Sequence, residues 1–210
     1  MDLITFDTII PSTGVENLQL PDPALLNEYR LMGNRIIYID YDIDVSILQV
    51  QRQIILFNLE DRDKNIPVEK RVPIKILLDC EGGYLSETMA LIATIKMSET
   101  PVWTINIADS YSGGAMILIS GHKRYAMPYS KALVHTGSGG LSGTHEQVMA
   151  QSEKYKKEIK AMSDFIVNNT NIDSKLYSKK KNSEWYLTDE EQVKYGLVDG
   201  IVENLFDILC

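Results

Sequence analysis

The runs IKILLD (74–79) and VWTINI (102–107) have the apolar, β-branched character of buried strands. Each opens through a glycine pair, Gly82-Gly83 or Gly113-Gly114, onto a helical segment, near 86–98 in the first case and from about Ser112 to Ser120 in the second. A strand that passes straight into a helix cannot return as a hairpin, so the next strand arrives by a crossover and lies parallel. The rest of the chain keeps this rhythm. RIIYID (35–40) is a further strand, and the segment after it places Ile47, Leu48, Gln51, Ile54, Ile55 and Leu59 on a mostly apolar helical stripe. RYAMP and KALVH are short strands. A long helix is predicted over 143–169, with Val148, Tyr155, Ile159, Met162 and Ile166 on one side. WYLT, a short helix over 188–195 and GLVDGIV return to the sheet. The pattern is that of an α/β fold with mainly parallel strands. Residues 1–21, broken by Pro11, Gly14 and Pro21, predict an irregular arm, and DRDKNIPVEKR (61–71) predicts a charged surface loop around Pro67.

A chain of 210 residues fits one domain with a core that needs no staples. Its net charge of -8 argues against nucleic acid as a partner, because a phosphate backbone calls for clustered cations. The run Lys179-Lys180-Lys181 is short and predicts a solvated loop. Cys80 and Cys210 build neither a disulfide framework nor a metal spacing, and His122, His135 and His145 have no zinc-type spacing, so no metal is expected. MDLITFDTIIP carries an acid where a signal peptide is basic, and no stretch reaches the length of a membrane span. These features predict a cytoplasmic protein with no membrane contact.

Functional groups of open α/β sheets gather beyond the carboxyl ends of the strands, which is where both glycine pairs fall. Glycine permits close backbone approach, and the first turn of a helix presents unpaired N–H groups at its positive dipole end. Together they suit an oxyanion, although tight turns of an ordinary sheet would read the same way. In IADSYSGGAM (107–116), Ser112 is either a helix cap or a nucleophile. His135 ends the strand KALVH one strand later and supplies a plausible base for it. His122 and His145 suit turn and capping roles, and Cys80 suits a buried thiol.

Four ordered blocks then resemble the ClpP family of serine peptidases. ILLDCEGGYLSETMALIATIK is similar to the family's strand-S-P-G-G-helix segment, and ADSYSGGAMILISGHKRYAMP to its A-S-M-G-A and K-R-Y-A-L-P block. LVHTGSGGLSGTHEQV is similar to its I-H-Q-P-L-G-G stretch, and WYLTDEEQVKYGLVDGI to its F-L-S-A-x-E-A-x-E-Y-G-L-I-D ending. The resemblance implies a ClpP/crotonase-like α/β fold of repeated β-β-α units with a protruding handle helix, 143–169. It divides the chain into an arm (1–23), a peptidase domain (24–205) and a tail (206–210). It implies Ser112 as nucleophile, His135 as base, and the amides of Gly83 and Gly113 as oxyanion donors, with Ser110 the weaker nucleophile. Peptide would bind by strand addition between Gly83, Tyr84 and Leu85 on one side and Ser138, Gly139, Gly140 and Leu141 on the other.

The same resemblance implies a homo-oligomer of paired heptameric rings, a peptide or unfolded-protein substrate, no cofactor, and an AAA+ unfoldase that spends any ATP. The chain departs from the family at Glu81 (Pro in the family) and Gly113 (Met). Counting back without gaps from YLTDEEQVKYGLVD puts the family's catalytic Asp on Lys180, with Asn182, Glu184 and Asp173 as alternative acceptors. A lysine there motivates a second reading, an inactive structural ring subunit. A crotonase-like acyl-CoA enzyme is a third, and it leaves the Ser112–His135 pair without a purpose.

Overall fold

A computed structural model of the chain describes residues 23–180 and 182–209. The elements run α1 (Pro23–Gly33), β1 (Ile36–Ile39), α2 (Leu48–Asp63), β2 (Ile74–Cys80), α3 (Leu85–Met97), β3 (Val102–Tyr111) and α4 (Gly113–Ser120). They continue as β4 (Lys123–Ala126), β5 (Lys131–Val134), α5 (His145–Asn169), α6 (Ser174–Lys180), β6 (Trp185–Thr188), α7 (Asp189–Lys194), β7 (Gly200–Ile201) and α8 (Phe206–Leu209). The sheet order is β1-β2-β3-β4-β7, all parallel.

β3 is four residues longer than its apolar run suggests, and the extra length serves a fork. Its first half pairs with β4 and its last residues, Asp109 to Tyr111, pair in parallel with β5. The gap at the fork is filled by Asn106, whose Nδ2 donates to Lys131 O (2.8 Å) and to Gln192 Oε1 (3.0 Å). β5 in turn pairs antiparallel with β6. Successive side chains of a strand point to opposite faces, so Ile76 and Leu78 join the large core under the helices while Leu77 joins a smaller core with Ile36, Ile105 and Val202. α4 is buried on every side, as its all-apolar sequence requires.

Three expectations need correction. α2 buries Val50, Ile54, Phe57 and Asp61, following Ile47, whereas Leu48, Ile55 and Leu59 stay exposed. The helix carries apolar residues on two faces, and periodicity alone does not say which one meets the sheet. The charged segment at 61–71 is not all surface: α2 continues to Asp63, and Asp61 is fully buried. Its carboxylate accepts both Arg35 guanidinium nitrogens (2.7 and 2.5 Å) and Thr100 Oγ1 (2.7 Å), which together hold it below the usual carboxylate range. Lys179 and Lys180 close the last turn of α6 rather than a loop; Lys181 and Cys210 lie outside the described residues. The C-terminal segment folds back as α8, burying Ile208 in the smaller core. The predicted arm at 1–21 lies outside the described residues.

α5 starts on a capping box between Thr144 and Gln147. At 25 residues it spans roughly 37 Å. Its buried side chains are Met162 and Ile166, Ile159 packs partly buried against the main core, and most residues from 145 to 158 are exposed.

Candidate active site

Three parallel strands, β2, β3 and β5, end side by side, and each hands one element of the site to the same cleft. After β2 come Gly82 and Gly83, with φ of 106° and 150°. Both conformations exclude a side chain: a Cβ on Gly83 would fall 2.1 Å from Ile43 O, and one on Gly82 would fall 2.8 Å from Ser112 Cβ. Ile43 N–H donates to Gly82 O (2.6 Å) and Tyr84 N–H to Ile43 O (2.9 Å). That bridge uses one edge of the segment and turns the Gly83 N–H to the other edge.

After β3 comes Ser112, with φ 52° and ψ -114°. A non-glycine residue in this region stores about 1–3 kcal/mol. The strain is held by Ser112 N–H donating to Leu133 O (3.0 Å) and by Met116 N–H donating to Ser112 O (3.2 Å). The side chain makes no capping bond. Instead Ser112 Oγ lies 2.7 Å from His135 Nε2, which decides between the cap and the base-paired hydroxyl. Gly113 follows in the first turn of α4, where its N–H has no helical acceptor. Ser110 is fully buried and faces the interior, out of reach of a substrate.

After β5 comes His135. Burial holds its imidazole below the usual histidine value, and the negative charge of Glu184 opposes that shift. The position of Glu184 follows from the sheet. In the β5–β6 ladder Leu133 faces Tyr186 and Val134 faces Trp185; the ladder ends there, and His135 and Glu184 are the residues that adjoin its last pair. Both line the cleft. Among the described residues no hydrogen bond joins the carboxylate to the ring; Glu184 Oε2 accepts from Tyr186 Oη at 2.9 Å.

Lys180 is not at this position. Its ammonium stacks on the Trp185 ring, 5.6 Å from the centroid. Asp173 is a helix cap, accepting from Lys175 N–H and Leu176 N–H (both 2.8 Å). Asn182 does not line the cleft.

The cleft encloses about 750 Å³ and is bordered by Gly83, Tyr84 and Leu85 on one side and Thr136, Gly137 and Ser138 on the other. Gly139, Gly140 and Leu141 do not line it: Gly139 lies over the Tyr155 ring, and Leu141 is exposed. Residues 135–142 form no strand, and among the described residues no strand pairs with them. His122 is structural, its Nδ1 accepting from Val102 N–H (3.0 Å), and His145 opens α5. Burial pushes the Cys80 thiol up to about 11, which leaves it inert at neutral pH. Sequence reading did not find Ile43 and Leu133, which hold the glycine segment and Ser112 through backbone atoms. It also missed Tyr186, whose role depends on strand register.

A hydroxyl that forgoes its helix cap for a neutral imidazole, with unpaired amides beside it, belongs to the serine hydrolases of α/β build. The sequence profile of the family described as Clp protease matches residues 25–205, and the chain belongs to that family. It is 28% identical over 178 residues to the ATP-dependent Clp protease proteolytic subunit 1 of Frankia casuarinae, covering 83% of this chain and 80% of the relative. It is 27% identical over 200 residues to subunit 2 from Chlamydia trachomatis serovar D, covering 94% of each. Against the Chlamydia muridarum subunit 2 the identity is 28%, again over 200 residues and 94% of each chain. The protein is thus a ClpP-like serine-type endopeptidase, and its family implies peptide substrates and an oligomeric assembly. Among the described residues no helix is long and apolar enough to cross a membrane.

Proposed function

We propose that Ser112 is the nucleophile and His135 the general base of this endopeptidase, an assignment carried by the 2.7 Å contact between Ser112 Oγ and His135 Nε2. With the ring neutral and its proton on Nδ1, the hydroxyl donates to Nε2 and transfers its proton there as Oγ attacks the peptide carbonyl. The N–H groups of Gly83 and Gly113 receive the oxyanion. His135 then returns the proton to the leaving amine, and water releases the acyl group from Ser112 by the reverse sequence. Glu184, which like His135 adjoins the last pair of the β5–β6 ladder, stabilises the imidazolium formed in both steps. No cofactor takes part in this scheme.

The peptide adds as a strand along Gly83, Tyr84 and Leu85, with Ser138 and the chain through Gly139, Gly140 and Leu141 as the opposite edge once the subunits assemble. Residues 24–205 form the peptidase unit. The projecting half of α5 joins two heptameric rings into a chamber, an AAA+ unfoldase feeds it unfolded chains, and the assembly works in the cytoplasm. With an acid in the cleft beside His135, the inactive ring-subunit reading loses its motive.

Ser112→Ala tests the assignment. It is expected to abolish cleavage of a fluorogenic peptide while light scattering returns the assembled mass of the wild type. Wild-type cleavage by the variant refutes the role of Ser112, and a stable folded monomer at micromolar concentration refutes the chamber.

A further inference from the structure

Tyr186 faces Leu133 in the β5–β6 ladder, and Glu184, just before β6, lines the cleft with Tyr186 and His135. Tyr186 Oη donates to Glu184 Oε2 at 2.9 Å. The Tyr186 ring is fixed edge-on against Tyr111, with centroids 5.5 Å apart and planes at 84°, and the Tyr111 hydroxyl donates to Asp109 at 2.8 Å. The phenol that holds Glu184 is therefore itself held in place.

We propose that Tyr186 is a positioning residue, a latch that keeps the Glu184 carboxylate off the His135 imidazole and rests the site in a slow state. The inference builds on the roles proposed for Ser112 and His135. In the conformation described, the carboxylate accepts from the phenol, and no hydrogen bond runs from the ring Nδ1–H to it. Transfer of Glu184 from Tyr186 to Nδ1–H would orient the imidazole and stabilise its cation. The charged and titratable groups facing this pair are His135 from β5, Tyr111 and Asp109 from β3, and Glu81 beyond β2. The carboxylates of Glu81 and Asp109 disfavour phenolate formation. Tyr186 is raised chiefly by its bond to Glu184 and Tyr111 chiefly by burial, so both remain donors through the neutral range.

The test is Tyr186→Phe in the full chain, which keeps the ring against Tyr111 and deletes only the hydroxyl. The readouts are the rate of fluorophosphonate labelling of Ser112 against pH, and kcat on a fluorogenic peptide. The expected result is labelling and kcat about threefold faster or more at neutral pH, with KM little changed. The acid limb should move up by about half a unit as the carboxylate reaches the ring. Both effects should vanish in a Glu184→Gln background. Unchanged or slower labelling with an unmoved acid limb overturns the latch. A slower rate with a lowered limb overturns it too, making Tyr186 a brace that holds Glu184 toward the ring. Labelling that survives in Ser112→Ala overturns the site assignment itself, and the latch with it.

Discussion

Gly83→Ala puts the oxyanion assignment at risk more directly than any change to the reacting side chains. The added Cβ would lie 2.1 Å from Ile43 O and 2.8 Å from Ile43 N and C, all backbone atoms that cannot swing aside. Ordinary contact begins near 3.4 Å, so one of the two segments must retreat by more than 1 Å. The φ of 150° is also closed to an L side chain, which adds strain of about 1–3 kcal/mol. A donor displaced by that distance no longer meets the oxyanion. Loss of one such donor costs about 3–4 kcal/mol in the barrier, or roughly 10²- to 10³-fold in kcat. The fold should survive, because the Ile43–Gly83 contact is an isolated bridge outside the sheet ladders. For a chain of this size the strain corresponds to a Tm lowered by about 2–12 °C. Steady-state cleavage of a fluorogenic peptide, with KM and kcat separated, measures the first effect and calorimetry the second. Gly33→Ala is the control, since nothing lies within 4 Å of its added methyl group. An alanine variant at 83 that folds and keeps wild-type kcat would show that this amide does not face the reacting carbonyl.

Three further outcomes follow from the charges. Burial holds His135 below its ordinary value of 6.5, so the acid limb of kcat/KM should fall below pH 6.5; a limb at or above 7 refutes a desolvated base. The sign for stability agrees: the unfolded ring takes up its proton first, so the contribution of the neutral ring is complete above pH 6.5 and is lost as pH falls through that value toward the folded one. Asp61→Ala leaves the Arg35 guanidinium, 11% exposed, with only its longer 3.7 Å contact to the more exposed Glu60 and should cost about 3 kcal/mol in a denaturant titration; a loss under about 1 kcal/mol contradicts the buried pair. Lys180→Asp should leave peptide turnover within about twofold, because its side chain packs on Trp185 away from the cleft; a tenfold gain would return the acid to position 180.

The strands, the two glycine pairs and the pairing of Ser112 with His135 were all legible in the sequence, for a common reason. Each is a local signal: an apolar run, a residue that alone tolerates a positive φ, or a serine and a histidine placed just after the ends of two strands, β3 and β5. Asp61 was not legible, because a carboxylate in a charged run looks solvated until its partner arrives. Arg35 is 26 residues away in the chain and reaches it only through the packing of α2. The apolar face formed by Leu48, Ile55 and Leu59 misled for a related reason, since it is as hydrophobic as the face that meets the sheet.

The carboxylate proposed to serve His135 illustrates the limit most sharply. Counting along the chain from a recognised motif measures contour, and the helix α6 and the turn after it make contour a poor guide to position. What brings a carboxylate to His135 is the antiparallel register of β5 and β6, in which each residue and its partner keep a constant sum. Ala132 with Leu187 and Val134 with Trp185 fix that sum, and the same sum continued one step past the ladder joins His135 to Glu184 rather than to Lys180; both line the cleft. A one-residue slip of β6 would turn Glu184 to the opposite face and carry Tyr186 with it. Register is set by which faces are buried, and here Trp185 and Leu187 are buried while Glu184, Tyr186 and Thr188 are exposed. The alternation in WYLT therefore contains the information that places the acid, but only once β6 is known to pair with β5.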